Sequence, residues 1–139
     1  AFNDASDYAI EALALPVTNV VAGVRTSDFY ASGSLMRVEL DPESSLTRGM
    51  TAPESVVWFE SSPVFSITDS SRVSIAARYP AAGTNPLVSG WLLGEARLAG
   101  KPALLDVRRG KGRVVLFGFR PQYRGQSMST FPLIWNALR

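Results

Sequence analysis

The sequence predicts one strand-rich domain of the α/β or α+β class, with helices near both ends. Its 139 residues suffice for a single sizeable core. A content of 46% hydrophobic and 19% charged residues is ordinary for a globular domain. Short apolar or alternating segments, separated by turn residues, fill the middle of the chain, which is typical of antiparallel strands. Segments with helical spacing of apolar residues lie on either side of this middle part.

The first predicted element is a short helix over residues 7–15. Asn3, Asp4 or Ser6 can cap its start, and Pro16 ends it. Residues 17–24 then form a β-branched apolar run, the pattern of a strand buried on both faces.

Residues 25–33 follow as a polar loop, with Phe29 and Tyr30 expected to fold onto the domain. Residues 34–40 alternate between apolar and polar, which predicts a half-exposed strand. Residues 46–50 have the pattern of one helical turn closed by Gly49. Further strands are predicted at residues 56–60, 64–68 and 72–79.

Residues 87–98 fit either a short helix or a strand, interrupted by glycines. Two apolar strands at residues 103–108 and 113–119 flank the turn at 109–112, which is a strong hairpin signal. Thr130 is expected to cap a final helix with Pro132 in its first turn. Five apolar residues are expected to pack this helix onto the domain: Phe131, Leu133, Ile134, Trp135 and Leu138.

Cysteine and histidine are both absent from the sequence. The chain therefore has no disulfide, no thiol nucleophile, no imidazole base and no Cys/His zinc site. Neither lysine lies in a Ser-x-x-Lys spacing, and no Gly-x-Ser-x-Gly elbow occurs, so no serine nucleophile is indicated. We expect no catalytic residue, no metal and no cofactor in this chain. No apolar run approaches the roughly 20 residues that a membrane span needs.

The charges are distributed unevenly along the chain. Residues 1–69 carry ten acids and three bases, and residues 70–139 carry two acids and eleven bases. A basic surface for nucleic acid or an acidic ligand is one interpretation. The interpretation that we favour is that acidic and basic segments meet in the fold and partly neutralise each other, since the bases are spread out.

Two glycine-containing segments resemble phosphate-binding loops without matching them. Residues 94–102 miss the P-loop pattern, because five residues separate the glycines and a proline follows the lysine. The glycines at 110 and 112 suit a hairpin reversal. The basic cluster around them is typical of a solvated hairpin tip: Arg108, Arg109, Lys111 and Arg113.

The segment at residues 118–126 is the most distinctive candidate site. It follows a buried strand, and ligands of open α/β sheets bind at the carboxyl ends of strands. Arg120, Gln122 and Arg124 can present hydrogen-bond donors there, with Tyr123 between them. The alternative is that these side chains bond loop carbonyls and brace a neighbouring domain.

The closing part of the chain resembles the C-terminal region of large bacterial zinc carboxypeptidase-like proteins. In that family a metallocarboxypeptidase domain precedes a domain similar to class I glutamine amidotransferases. The segments that carry the resemblance are GKGRVVLFGFRPQYRGQ at 110–126, TFPLIWNAL at 130–138, IEALALPVTNVV at 10–21, FYASGSL at 29–35 and SGWLLG at 89–94.

The resemblance implies an amidotransferase-like or flavodoxin-like sheet, with residues 34–79 as a β-rich insertion. It implies that parallel strands of the domain precede Ala1, so that residues 1–139 are one domain truncated on its N-terminal side. The cysteine and histidine of a working amidotransferase and the zinc ligands of the peptidase are missing here. No catalytic residue can therefore be carried over to this chain.

The function that the resemblance implies is a non-catalytic accessory domain of a secreted or periplasmic zinc carboxypeptidase-like protein. Its expected partner is the peptidase domain of the same polypeptide, with a homo-oligomer as an alternative; neither nucleic acid nor a membrane is expected. The second hypothesis is a small-ligand or anion-binding module around Arg120 and Arg124. A hydrolase built on two carboxylates is a third.

Overall fold

A computed structural model describes residues 1–125 and 128–139. Within these residues the chain forms two α-helices and eight strands, with 3-10 turns at Ser45–Thr47, Ser70–Arg72, Glu95–Arg97 and Met128–Thr130. The helices and strands are α1 (Ala5–Ala12), β1 (Val17–Asn19), β2 (Ser32–Leu40), β3 (Glu54–Glu60), β4 (Phe65–Ile67), β5 (Val73–Arg78), β6 (Leu87–Ser89), β7 (Pro102–Arg109), β8 (Gly112–Phe117) and α2 (Phe131–Ala137). The domain is thus α+β, with a helix near each end.

The main sheet is antiparallel and curled. Its strands lie in the order β3-β2-β5-β7-β8, and β6 pairs with β2 beside β5. Beyond β8 the chain reaches β3, where the Arg120 N–H donates to the Trp58 carbonyl over 3.0 Å. This bridge connects the two ends of the strand order. A separate antiparallel ribbon joins β1 to β4.

The hairpin predicted around residues 109–112 is confirmed. Strands β7 and β8 pair in regular antiparallel register from Leu104 opposite Phe117 to Arg109 opposite Gly112. Gly110, in the connecting turn, has φ +58°, a conformation that glycine adopts without steric cost.

Away from the exposed hairpin tip, strands β7 and β8 are buried on both faces. Leu104 and Phe117 belong to the larger core, which the curled sheet encloses together with α2. Leu105, Val107 and Leu116 point to the opposite face and pack with residues of α1, β1 and β4. Because side chains alternate along a strand, two separate cores share one hairpin, which explains its nearly continuous apolar sequence.

The first helix and the strand after it are shorter than the sequence predicts. Ala14 adopts φ +48°, so α1 has ended before Pro16. Strand β1 stops at Asn19, whose side-chain oxygen accepts the N–H groups of Val21 and Val64. A side-chain bond to the backbone two residues onward turns the chain, and the predicted strand over 17–24 is therefore cut short.

The cap predicted for the first helix is also different. Asp4 occupies the N-cap position of α1 without a side-chain capping bond. Ser6 donates to the Phe117 carbonyl over 3.1 Å, and Asn3 donates to the Glu60 carbonyl over 3.1 Å. These polar side chains tie the helix start to the sheet.

The final helix packs through a different face from the one expected. Leu133 is fully buried, but Trp135 is 60% exposed and Leu138 is 75% exposed. Asn136 is buried in their place. The helical repeat puts residues 133, 136 and 137 on one side and residues 131, 135 and 138 on the other, and the inner side is the more polar one. The prediction that Trp135 and Leu138 pack onto the domain is wrong.

Among the residues that the structure describes, no helix combines the length and the apolar character needed to cross a bilayer.

Candidate functional site

The candidate segment begins where β8 passes very close to its neighbours. A Cβ on Gly118 would lie 2.9 Å from the Pro63 carbonyl oxygen and 3.1 Å from that of Ala103. The Gly118 N–H donates to the same Ala103 carbonyl over 2.8 Å. Glycine is required here because backbone atoms fill the space on two sides. The close approach directs the following residues toward β3.

Arg120 is held on β3 by both its backbone and its side chain. Its N–H donates to the Trp58 carbonyl, and its Nη1 lies 3.4 Å from the Glu60 Oε2. Both side chains of the ion pair remain about one-third exposed. The positive charge of Arg120 is therefore compensated within the fold, by a carboxylate of β3.

Tyr123 stacks on Trp58. The ring centroids are 4.5 Å apart and the ring planes differ by 10°. Two guanidinium carbons lie over the Tyr123 ring, that of Arg120 at 5.6 Å and that of Arg124 at 5.4 Å from its centroid. This arrangement combines aromatic stacking with cation–π attraction and fixes the segment against β3.

Within the candidate segment, Arg124 is a cation that can bind a ligand. Its residue is exposed and has φ +48°, directly before Gly125. Across residues 1–125 and 128–139, no carboxylate forms an ion pair with it. Its guanidinium can therefore donate to an anion outside the domain.

Gln122 lines a shallow cleft of about 280 Å³ together with Arg120 and the start of the chain, from Phe2 to Ala5. Arg124 does not line this cleft. Asp4 contributes a carboxylate to this cleft, which lowers its affinity for anions. The structure thus places the guanidinium groups of Arg120 and Arg124 over the Tyr123 ring, whereas Gln122 lines the neighbouring cleft.

Two residues of the cluster were missed by sequence reasoning. Trp58 and Glu60 lie two positions apart on β3, so they share a face of the strand. The alternation of β3, with Val57 and Phe59 buried, was the available signal that both point outward. Nothing in the sequence indicates that the segment after β8 covers that face.

A second exposed feature is the outer surface of α2. Trp135 and Leu138, which are 60% and 75% exposed, make this surface apolar. The opposite side of the helix is anchored, because the Asn136 Nδ2 donates to the carbonyls of Leu46 and Arg48, each over 2.9 Å. We call Trp135 and Leu138 the α2 face.

The expected meeting of acidic and basic segments occurs at one of the four ion pairs found in the described residues. Arg120–Glu60 joins the basic second half of the chain to the acidic first half. The remaining pairs join residues of the same half: Arg25–Asp28, Arg37–Glu54 and Arg113–Asp106.

No protein-family model matches the sequence, and no curated protein matches it. In the described part of the chain, no group of three or more acidic side chains is placed to hold a metal ion.

Proposed function

We propose that this chain is a non-catalytic interaction domain, an amidotransferase-like accessory domain of a secreted bacterial zinc carboxypeptidase-like protein. Its partner would be the peptidase domain of the same polypeptide. The observation that carries the proposal is the α2 face, an exposed tryptophan and leucine on a helix whose opposite side is anchored. Tryptophan is enriched among the residues that dominate binding energy at interfaces.

The pairing of the first residues supports the amidotransferase-like part of the proposal. Phe2 forms a parallel bridge with Phe117, supported by hydrogen bonds from Phe117 N–H to Ala1 O and from Asn3 N–H to Phe117 O, both 2.9 Å. Helix α1 follows immediately. A segment parallel to its neighbour and followed by a helix is the local arrangement of α/β sheets.

The composition supports a non-catalytic role. The sequence contains neither the cysteine nor the histidine on which the named chemistries of the resembling family depend. Arg120, a charged residue of the candidate segment, forms an ion pair with Glu60 of β3.

The first test is the reading frame around the chain. We expect a His-x-x-Glu zinc motif upstream of it, and a frame without that motif would remove the peptidase assignment. The second test measures binding of the chain to that peptidase domain. We expect Trp135→Ser to weaken the affinity at least about 30-fold, as loss of a central interface tryptophan does. The matched control is Tyr8→Ser on α1, an aromatic residue that is 75% exposed. Equal affinities of the two variants would refute the assignment of the interface to α2.

A second candidate function is anion binding at Arg124, with Arg120 beside it. The observation that favours it is the exposed guanidinium of Arg124, which lies over Tyr123 without a carboxylate partner in the described chain. Titration with inorganic phosphate tests it. Arg124→Gln would abolish binding, whereas Arg97→Gln, at an exposed arginine of the 3-10 turn Glu95–Arg97, would preserve it.

A further inference from the structure

A separate cleft lies beside the tip of the β7–β8 hairpin. It has a volume of about 450 Å³ and is lined by Ser45, Asp106, Arg108, Lys111, Arg113 and the glycines of the turn. This size is within the range of small-molecule sites. We call it the hairpin cleft.

One side of the hairpin cleft carries more positive charge than the fold neutralises. The register places Arg108 directly opposite Arg113, and alternation puts Asp106 on the same face of β7. The Arg113 Nη1 lies 2.9 Å from the Asp106 Oδ2, and its Nη2 donates to the Asn136 carbonyl over 3.1 Å. Arg113 is thus fixed between the hairpin and α2.

Arg108 and Lys111 have no such partner. Neither side chain forms an ion pair or a hydrogen bond with any residue that the structure describes. Like charges directly opposite each other on neighbouring strands destabilise a sheet. Arg108 nevertheless faces Arg113, and three cations share the cleft with one carboxylate. An anion entering the cleft would relieve this repulsion.

The carboxylate of Asp106 indicates that a ligand should also bring a hydrogen-bond donor. Its Oδ2 accepts from Arg113, but its Oδ1 is buried and has no hydrogen-bond donor among the described residues. A buried acceptor without a donor costs free energy, and native structures rarely leave one unmatched. A ligand that carries a hydroxyl group beside its anionic group would supply that donor.

We propose that the hairpin cleft binds a small hydroxylated anion, a sugar phosphate or a sugar acid. Its anionic group would lie between Arg108 and Lys111. One of its hydroxyl groups would donate to the Asp106 Oδ1, which is buried in the structure and so has to turn toward the cleft when the ligand binds. The proposal is independent of the α2 face and of Arg124.

The test is a calorimetric titration of the chain with glucose 6-phosphate, glucuronate, glucose and inorganic phosphate. We expect at least one of the first two to bind about tenfold more tightly than either glucose or inorganic phosphate, because only they carry both groups. The tighter of the two identifies the anionic group. Binding of inorganic phosphate as tight as that of both hydroxylated anions, or no binding of either, would overturn the proposal.

Side chains alternate between the two faces of β7, and this provides a test variant and a matched control. Arg108→Gln removes a cation that lines the cleft, whereas Arg109→Gln removes the same charge on the opposite face of the strand. Neither arginine side chain forms a hydrogen bond or an ion pair with a described residue, so both variants should fold. Arg108→Gln should weaken binding about tenfold and Arg109→Gln by less than about twofold. Equal weakening, or loss of binding in Arg124→Gln instead, would place the anion elsewhere and refute the site.

Discussion

The rings of Trp58 and Tyr123 lie stacked with their centroids 4.5 Å apart, and this contact joins the segment after β8 to β3. The backbone bridge between Trp58 and Arg120 lies at the same place. Since β3 and β8 are the two ends of the strand order, the stacked pair helps to close the curled sheet. Arg120 and Tyr123, two of the residues expected to bind a ligand, therefore also stabilise the domain.

Replacement of Trp58 by alanine is expected to destabilise the domain. The change removes the stack on Tyr123 and the half-buried indole, and we expect a loss of about 2 kcal/mol in the free energy of unfolding. Urea denaturation measures it. Trp91→Ala is the control, because that indole is 61% exposed and should cost under about 0.5 kcal/mol. Equal losses would show that the stack contributes nothing to closure.

Much of the fold could be predicted from the sequence where local signals agree with packing. The β7–β8 hairpin combines two apolar runs with glycines in the turn, and both signals demand the same structure. The final helix begins where the sequence predicts it, but Trp135 and Leu138, which were expected to pack onto the domain, are exposed. Apolar character suggested that Trp135 faces the core, yet the hydrogen bonds of Asn136 to Leu46 and Arg48 bury the polar side. Such long-range bonds leave no periodic trace in a sequence.

Asn136 is expected to be a stability determinant of α2. Asn136→Ala would remove the donor from a buried bond to the Leu46 carbonyl and from a partly buried bond to the Arg48 carbonyl, and we expect the two losses to cost about 2 kcal/mol in all. Thermal unfolding gives the difference in stability. Asn85→Ala is the control, since the exposed Asn85 accepts one bond, from the Leu87 N–H. The role assigned to Asn136 fails if Asn85→Ala lowers the melting temperature as much.

The pH dependence of stability is expected to reveal Asp7. Desolvation raises the pKa of the Asp7 carboxyl, and the hydrogen bond from Asn19 opposes the shift. The folded state then holds this proton at a pH where the unfolded chain has lost it, so the group lowers stability as pH rises through and above its ordinary pKa. Relative to the unchanged chain, Asp7→Asn should gain stability between about pH 3 and pH 7.

Asp69 supplies the control of opposite sign. The backbone N–H of Ser71 lowers the pKa of its carboxyl, so Asp69 adds stability above its ordinary pKa and loses that contribution as pH falls. Asp69→Asn should therefore lose stability relative to the unchanged chain as pH rises. Chemical denaturation at several pH values separates the two variants. Parallel curves for Asp7→Asn and the unchanged chain would contradict the raised pKa of Asp7.

The candidate segment shows what sequence position alone can indicate. Arg120, Tyr123 and Arg124 were identified because they follow a buried strand, and the structure does bring them together. Trp58, which stacks on Tyr123 and pairs with the backbone of Arg120, lies on a strand distant in sequence. The charge of Arg120 is compensated by Glu60, whereas Arg124 has no carboxylate partner in the described chain. This difference follows from the position of Glu60, which the curl of the sheet determines.

Gly118 provides the sharpest test of how the segment after β8 is placed. A methyl group there would lie 2.9 Å from the Pro63 carbonyl oxygen and 3.0 Å from the Phe65 ring, so Gly118→Ala must displace backbone. We expect the free energy of unfolding to fall by about 2–3 kcal/mol, as overpacking of a tight site does. Gly112→Ala is the matched control at the start of the same strand, where the nearest atom would be 3.9 Å away. Urea denaturation of both variants decides the question. Should Gly118→Ala prove as stable as Gly112→Ala, the close approach that directs the chain onto β3 would be refuted.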